Sequence, residues 1–351
     1  MPALSRIKLP VSLLALAVSF IATFALQAGA AETAYPAGPV PAQRKGGAAG
    51  YAMQHAREAA SAQLCEAEPN RMFTRHRLGS ACIAYYATDG REDQRRAVVF
   101  FDGDVTLERY ADKRGHAAEL QRRQRQLQTL ANQFGVRMVR VSRLGVEGSS
   151  GNHGDRRKPE ELVAMDAALD ILKQRLGLDE LVLAGQSGGS TLIASLLTRG
   201  RSDVSCAVLG SGAYELVDLV HTSILRNGGR TTTRAIRNVV YDPSTQIEGI
   251  VRNSARRMFI VGDPADARTP FDQQARFVDG LVAAGHHARL VRVKATGELN
   301  HGAAGYTLPL AALCARNASD ARMAKAARDI SANLKRQSPG GRTEAAAASG
   351  E

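Results

Sequence analysis

The chain has 351 residues, 44% of them apolar, enough to bury one large core or two modest ones. Its formal charge of +12 suits weak contact with an anionic envelope surface. Only 5% of residues are aromatic and none is Trp, so few platforms exist for stacking nucleic-acid bases, and no specific nucleic-acid partner is expected.

Residues 1–30 read as a signal peptide: Arg6 and Lys8 supply positive charge, residues 11–26 an apolar core, and Ala28-Gly29-Ala30 a small-residue cleavage site. Residues 31–64 read as a leader rich in Ala, Gly and Pro, closed by a short helix. Export to a periplasmic or secreted location makes Cys65, Cys82, Cys206 and Cys314 disulfide candidates. Three pairings are open. We favour Cys65 with Cys82 and Cys206 with Cys314, buried free thiols being the alternative. The C-x-x-C spacing of a zinc site is absent, and no metal is expected.

Two strands are predicted over residues 71–78 and 81–86, hinged at Gly79-Ser80 and forming an antiparallel edge. Ala97-Val98-Val99-Phe100-Phe101 is a buried strand ending in Asp102-Gly103-Asp104. A helix over 118–134 and a strand over 136–141 begin a βα alternation, and a Gly/Ser loop follows over 143–151. Pro159 opens a helix whose stripe is Leu162, Met165, Leu169, Leu172 and Leu176. Acidic residues occupy its first turn, basic residues its last, and Gly177 ends it.

Leu181-Val182-Leu183-Ala184-Gly185-Gln186-Ser187-Gly188-Gly189 then runs from a buried strand into a sharp turn, with helical spacing from Ser190 onward. This is G-x-S-x-G with Ser187 at the apex. Gly185 and Gly189 leave room for a tight turn, and the N–H of Gly188 faces an oxyanion position at a helix N-terminus. The phosphate-cradling patterns G-x-G-x-x-G and G-x-x-x-x-G-K-[ST] are absent.

A strand over 204–209 leads into the loosely patterned, polar and basic stretch 213–256, read as a cap or lid over the site. Regularity returns with a strand over 257–261, a helix from Phe271 ended by Gly285, a strand over 289–293, and helices over 308–315 and 319–335. Residues 337–351 form a polar tail expected to be disordered.

A serine needs a base, and the base needs an orienting group. His286 and His287 precede a strand, at the rim opposite the elbow, and His221 falls in the cap. His301 follows the last strand in a loop that can return over Ser187, with His153 in reserve. The loop Gly262-Asp263-Pro264-Ala265-Asp266-Ala267-Arg268-Thr269-Pro270 offers two acids, Asp266 preferred and Asp263 second.

With these residues the chain resembles the α/β-hydrolase superfamily, in its exported prolyl-oligopeptidase-like branch. The order Ser187, Asp266, His301 matches that family's order, and the acid loop resembles its G-x-x-D-x-x-[VT]-P segment. Gly262 lies one position further from Asp266 than that pattern has it, which keeps Asp263 open. The resemblance covers roughly residues 98–301. It implies an α/β fold with a mostly parallel doubly wound sheet, a hydrolase domain over 65–336 and a small cap insertion over 213–256. In such proteins the second oxyanion donor follows the third strand in an H-G pair. Here Asp102-Gly103-Asp104-Val105 stands instead, so Asp104 N–H is the expected donor, and two carboxylates beside it would be costly unless they face away.

The implied function is an exported serine hydrolase that cleaves an ester or amide of a small molecule or peptide through an acyl-enzyme, with no cofactor. The alternative is a catalytically silent α/β-hydrolase fold acting as a basic envelope binding protein.

Overall fold

The computed structural model describes residues 62–90, 94–104, 113–297 and 299–337. The expected signal peptide, the leader up to residue 61, Val105 and the tail beyond residue 337 lie outside the described residues.

Helix α1 (Ala62–Glu66) precedes a hairpin of β1 (Arg71–His76) and β2 (Gly79–Ala87). Its register pairs His76 with Gly79, so the turn is Arg77-Leu78 and not Gly79-Ser80 as expected. Gly79 opens the second strand at φ 136°, a conformation that suits glycine. The chain continues through β3 (Arg96–Phe101), α2 (Lys113–Phe134), β4 (Arg137–Val141), α3 (Pro159–Leu176), β5 (Glu180–Gln186), α4 (Gly188–Thr198) and β6 (Val204–Gly210). It closes with α5 (Leu216–Arg226), α6 (Thr233–Arg237), a 3-10 turn (Pro243–Gly249), β7 (Arg257–Gly262), α7 (Phe271–Ala283), β8 (His287–Arg292), α8 (Ala304–Ala315) and α9 (Asp320–Gln337).

The eight strands form one sheet in the order β1-β2-β4-β3-β5-β6-β7-β8. β1, β2 and β4 pair antiparallel, and every pairing from β4 across to β8 is parallel. This is a mostly parallel, doubly wound sheet, the α/β class expected.

Side chains alternate across it with period two. Val99 and Phe101 join one core with Leu162, Met165 and Leu169 of α3 and Leu192 and Leu196 of α4. Val98 and Phe100 join the other with Leu127 of α2, Tyr306 and Leu310 of α8 and Ile330 of α9. Strands β3 and β5 are therefore buried on both faces, which is why their sequences are unbroken apolar runs. All C-terminal ends of the parallel strands share one rim, where open α/β sheets place their sites.

Helix α3 follows its sequence closely. Pro159 occupies its first turn, Glu160 and Glu161 face the positive end of its dipole, and Gly177 takes the left-handed cap at φ 63°. Two disulfides are present, Cys65–Cys82 and Cys206–Cys314, the favoured pairing. No helix among the described residues is long and apolar enough to cross a membrane.

Candidate active site

β5 ends at Gln186 and α4 begins at Gly188, so Ser187 is the whole connection. Its backbone sits at φ 52° and ψ −120°, a strained conformation for a residue with a side chain. Neighbouring structure holds it there: Ser187 N–H donates to Gly210 O at 2.8 Å, and Ser190 Oγ to the same carbonyl at 2.9 Å.

The small residues around it are dictated by close backbone approach. A Cβ on Gly185 would lie 2.6 Å from Ser190 N, and one on Gly189 would lie 2.7 Å from Asp102 O. Gly188 is required for a different reason: a Cβ there would lie 2.6 Å from Arg143 Nη1 and overlap the Asp104 carboxylate.

His301, 2% exposed, is carried by the loop between β8 and α8. Its Nε2 lies 2.8 Å from Ser187 Oγ, and its Nδ1 lies 3.1 and 3.0 Å from the two carboxylate oxygens of Asp266. A carboxylate on the Nδ1 side favours the proton there, which leaves Nε2 to accept from the serine hydroxyl.

Asp266 is itself anchored. Arg268 N–H and Thr269 N–H donate to its Oδ1 at 2.9 and 3.0 Å, and the Thr269 hydroxyl lies 2.9 Å from Oδ2. Burial would raise its pKa, but the hydrogen bond and charge of His301 and these two N–H groups outweigh it and hold the carboxyl below its ordinary value.

Asp263 is placed elsewhere. Its oxygens accept from Ala265 N–H and Ala295 N–H, both at 2.8 Å, so it ties the end of β7 to the segment after β8. His153 is buried, with Nδ1 3.2 Å from Leu144 O, and His287 pairs with Asp320 at the opposite rim. His221 lies on α5.

The carboxylates of Asp102 and Asp104 are drawn into ion pairs. Asp102 receives Arg140 and, at 3.1 Å, Arg123. Asp104 receives Arg143 at 2.8 Å, Arg156 at 3.3 Å and Arg157. Burial raises the Asp104 pKa, yet the charges of Arg157, Arg143 and Arg156 bring it well below the ordinary value. The two acids thus stand beside the elbow as neutralised partners rather than as bare anions.

Several residues at this site carry no motif. The Gln186 amide donates to His301 O at 2.7 Å and accepts from Ala303 N–H at 2.9 Å, clamping the histidine loop to the elbow. It occupies a variable position of G-x-S-x-G, so only its polarity at the end of a buried strand marked it. The arginines around Asp104 are brought in by tertiary folding from distant segments.

Segment 213–256 forms α5, α6 and the 3-10 turn rather than a featureless loop. A cavity of about 540 Å³ lies against it, lined by Glu215, Val217, Arg237, Asp242, Arg276 and Phe277 among others, and includes none of Ser187, His301 or Asp266.

No family model matches this chain, and no curated protein does. Among solved structures, an acylaminoacyl peptidase from Pyrococcus horikoshii is similar at 13% identity and a TM-score of 0.46, over 69% of this chain and 39% of that one. This chain thus spans well under half of the peptidase's length. Est1E from Butyrivibrio proteoclasticus, in a structure with ferulic acid bound, is similar at 15% identity and a TM-score of 0.48, over 70% of this chain and 96% of that one. The Pyrococcus furiosus esterase Pf2001 is similar at 10% identity and a TM-score of 0.49, over 73% and 92% of the two chains.

Proposed function

We propose that the protein is a serine hydrolase that cleaves an ester or amide bond by acyl transfer. The observation that carries this reading is the continuous hydrogen-bonded line from Ser187 Oγ through His301 to Asp266. Ser187 attacks the carbonyl while His301 Nε2 takes its proton, and Asp266 keeps the imidazole oriented and stabilises its charged form. The developing oxyanion is held by the N–H groups of Gly188 and Asp104, the first at the N-terminus of α4. Collapse expels the alcohol or amine, which receives the proton from His301. Water then repeats the sequence on the acyl-enzyme and restores Ser187.

We further propose that segment 213–256 acts as the cap and that the protein is exported. The charged and apolar pattern of residues 1–30 supports export, as do two disulfides, which persist in oxidising compartments.

Labelling with a fluorophosphonate probe tests the assignment. Modification confined to Ser187 is expected, and Ser187→Ala should abolish it and lower hydrolysis by roughly four to six orders of magnitude. A silent fold used as a basic envelope binding protein, suggested by the acidic Asp102-Gly103-Asp104 segment, would leave Ser187 unlabelled.

A further inference from the structure

Beside the elbow lies a knot of charge for which acyl transfer has no role. Arg143 and Glu161 are each 1% exposed and pair through two bonds, Nε to Oε1 at 2.8 Å and Nη2 to Oε2 at 3.0 Å. Arg143 also donates to Asp104 Oδ1, so its guanidinium is taken up by two carboxylates. Arg157 is in a different position. Its Nη2 reaches Asp104 Oδ2, an oxygen that Arg156 Nε also uses at 3.3 Å. Its Nε is buried and has no hydrogen-bond partner among the described residues.

The chain also adopts an unfavourable conformation to put Arg157 there. The backbone of Arg157 is left-handed, at φ 66°, which side chains beyond Cβ seldom adopt. Its N–H donates to Glu161 Oε2 at 2.7 Å, and its carbonyl accepts from Tyr241 N–H at 3.0 Å. Both contacts fix it between the first turn of α3 and segment 213–256. Its side chain still keeps 21% of its surface exposed. Burial lowers the guanidinium's pKa, and the Asp104 charge, opposed by Arg156 and Arg143, does not restore it. Arg157 shares the one Asp104 carboxylate with Arg143 and Arg156.

The cluster touches the reacting centre through backbone. Asp104 and Arg143 press against the Cα of Gly188, the residue after Ser187, and Asp104 carries the second proposed oxyanion donor. Arg157 thus grips, through the Asp104 carboxylate, the residue whose N–H is the second proposed oxyanion donor.

We propose that Arg157 recognises a carboxylate on the substrate, so that the enzyme acts on esters or amides carrying a free acid a few carbons from the scissile carbonyl. A guanidinium presents a planar fork that matches a carboxylate. The proposal rests on Ser187 being the nucleophile, and its test separates the two claims.

Two fluorophosphonates with the same short chain, one ending in a carboxylate and the other in its methyl ester, are compared by their rates of reaction with Ser187. The wild type should react about 10-fold or more faster with the acid probe. Arg157→Gln should bring that ratio to about 1, and Arg157→Lys should recover part of it. A folding defect slows both probes and leaves the ratio in place, so the ratio isolates recognition. Equal rates in the wild type, or a ratio that survives in Arg157→Gln, overturn the carboxylate proposal alone. Failure of both probes to modify Ser187 overturns the nucleophile assignment, and the proposal with it.

Discussion

Two buried aspartates three positions apart perform different work because of what each oxygen meets. Asp266 spends its lone pairs on His301 and on the N–H groups of Arg268 and Thr269, whereas Asp263 spends its own on Ala265 and Ala295. Asp266→Asn should therefore lower kcat by roughly 10³ to 10⁴-fold with the fold intact, since the amide favours the wrong imidazole tautomer. Asp263→Asn should instead destabilise, by about 1–3 kcal/mol in urea unfolding, because one amide faces a backbone N–H it cannot accept from. The opposite ranking in kcat would make Asp263 the orienting acid.

His153 supplies a pH signature of its own. Burial and the charge of Arg143 push its pKa from 6.5 down to about 4, against the opposing pull of the Asp104 and Glu161 carboxylates. The unfolded chain then binds a proton at higher pH than the folded one, so stability falls as pH drops from about 6.5 to about 4 and rises with pH across that window. A shift of this size is worth roughly 3 kcal/mol. His153→Gln keeps a donor toward Leu144 O and should remove that slope; wild-type and variant stability curves running parallel from pH 6.5 to 4 would contradict it.

Among the elements, the end of β5 does more than launch the turn. Gln186 joins β5 to the loop ahead of α8 through paired amide hydrogen bonds to His301 O and Ala303 N–H, so the proposed base is held by the strand that leads into the proposed nucleophile. Gln186→Ala should lower kcat by about 10 to 100-fold with little change in KM, because displacement of the imidazole by a fraction of an ångström weakens proton transfer. Gln186→Glu keeps the acceptor for Ala303 and loses the donor to His301, and intermediate activity is expected; an alanine variant with wild-type kcat would show that the loop holds itself. None of this was legible beforehand. The pattern G-x-S-x-G marks the turn because sterics demand small residues at fixed spacing, but it leaves position 186 open. Gly188 and Gly189 likewise hid the first turn of α4, which begins two residues before Ser190, since glycine is a poor helix former that close packing here requires. Arg157 and Asp104 were illegible as a pair, because 53 residues of chain separate them and an ion pair leaves no periodicity.

At the scale of the whole molecule, what sequence reveals follows burial. Strands β3, β5 and β7 are covered on both faces and read as unbroken apolar runs, and α3 announces itself through an apolar stripe and caps. By contrast α5 buries only Leu216 and Val217, too little to print a helical stripe, so segment 213–256 read as loose chain. The Cys206–Cys314 bridge belongs to this scale, since it joins β6 to the far end of α8 across 108 positions. In the denatured chain a closure of that length is worth about 4 to 5 kcal/mol, against about 3 for the 17-position closure of Cys65–Cys82. The long bridge also lies on the mechanical path to the proposed active site: α8 starts at Ala304, three residues after His301, and Cys314 sits one residue before its end. Replacing Cys206 and Cys314 together by alanine should lower both urea stability and kcat, since α8 is then free to shift against β6. Removing Cys65 and Cys82 should lower stability alone, because that bridge joins α1 to β2, next to the edge strand β1 and away from the proposed triad. Comparing kcat of the two double variants at 25 °C, well below their melting transitions, checks the difference. Equal kcat in both would mean that α8 is held by its apolar packing against β5 and β6 without help from the bridge.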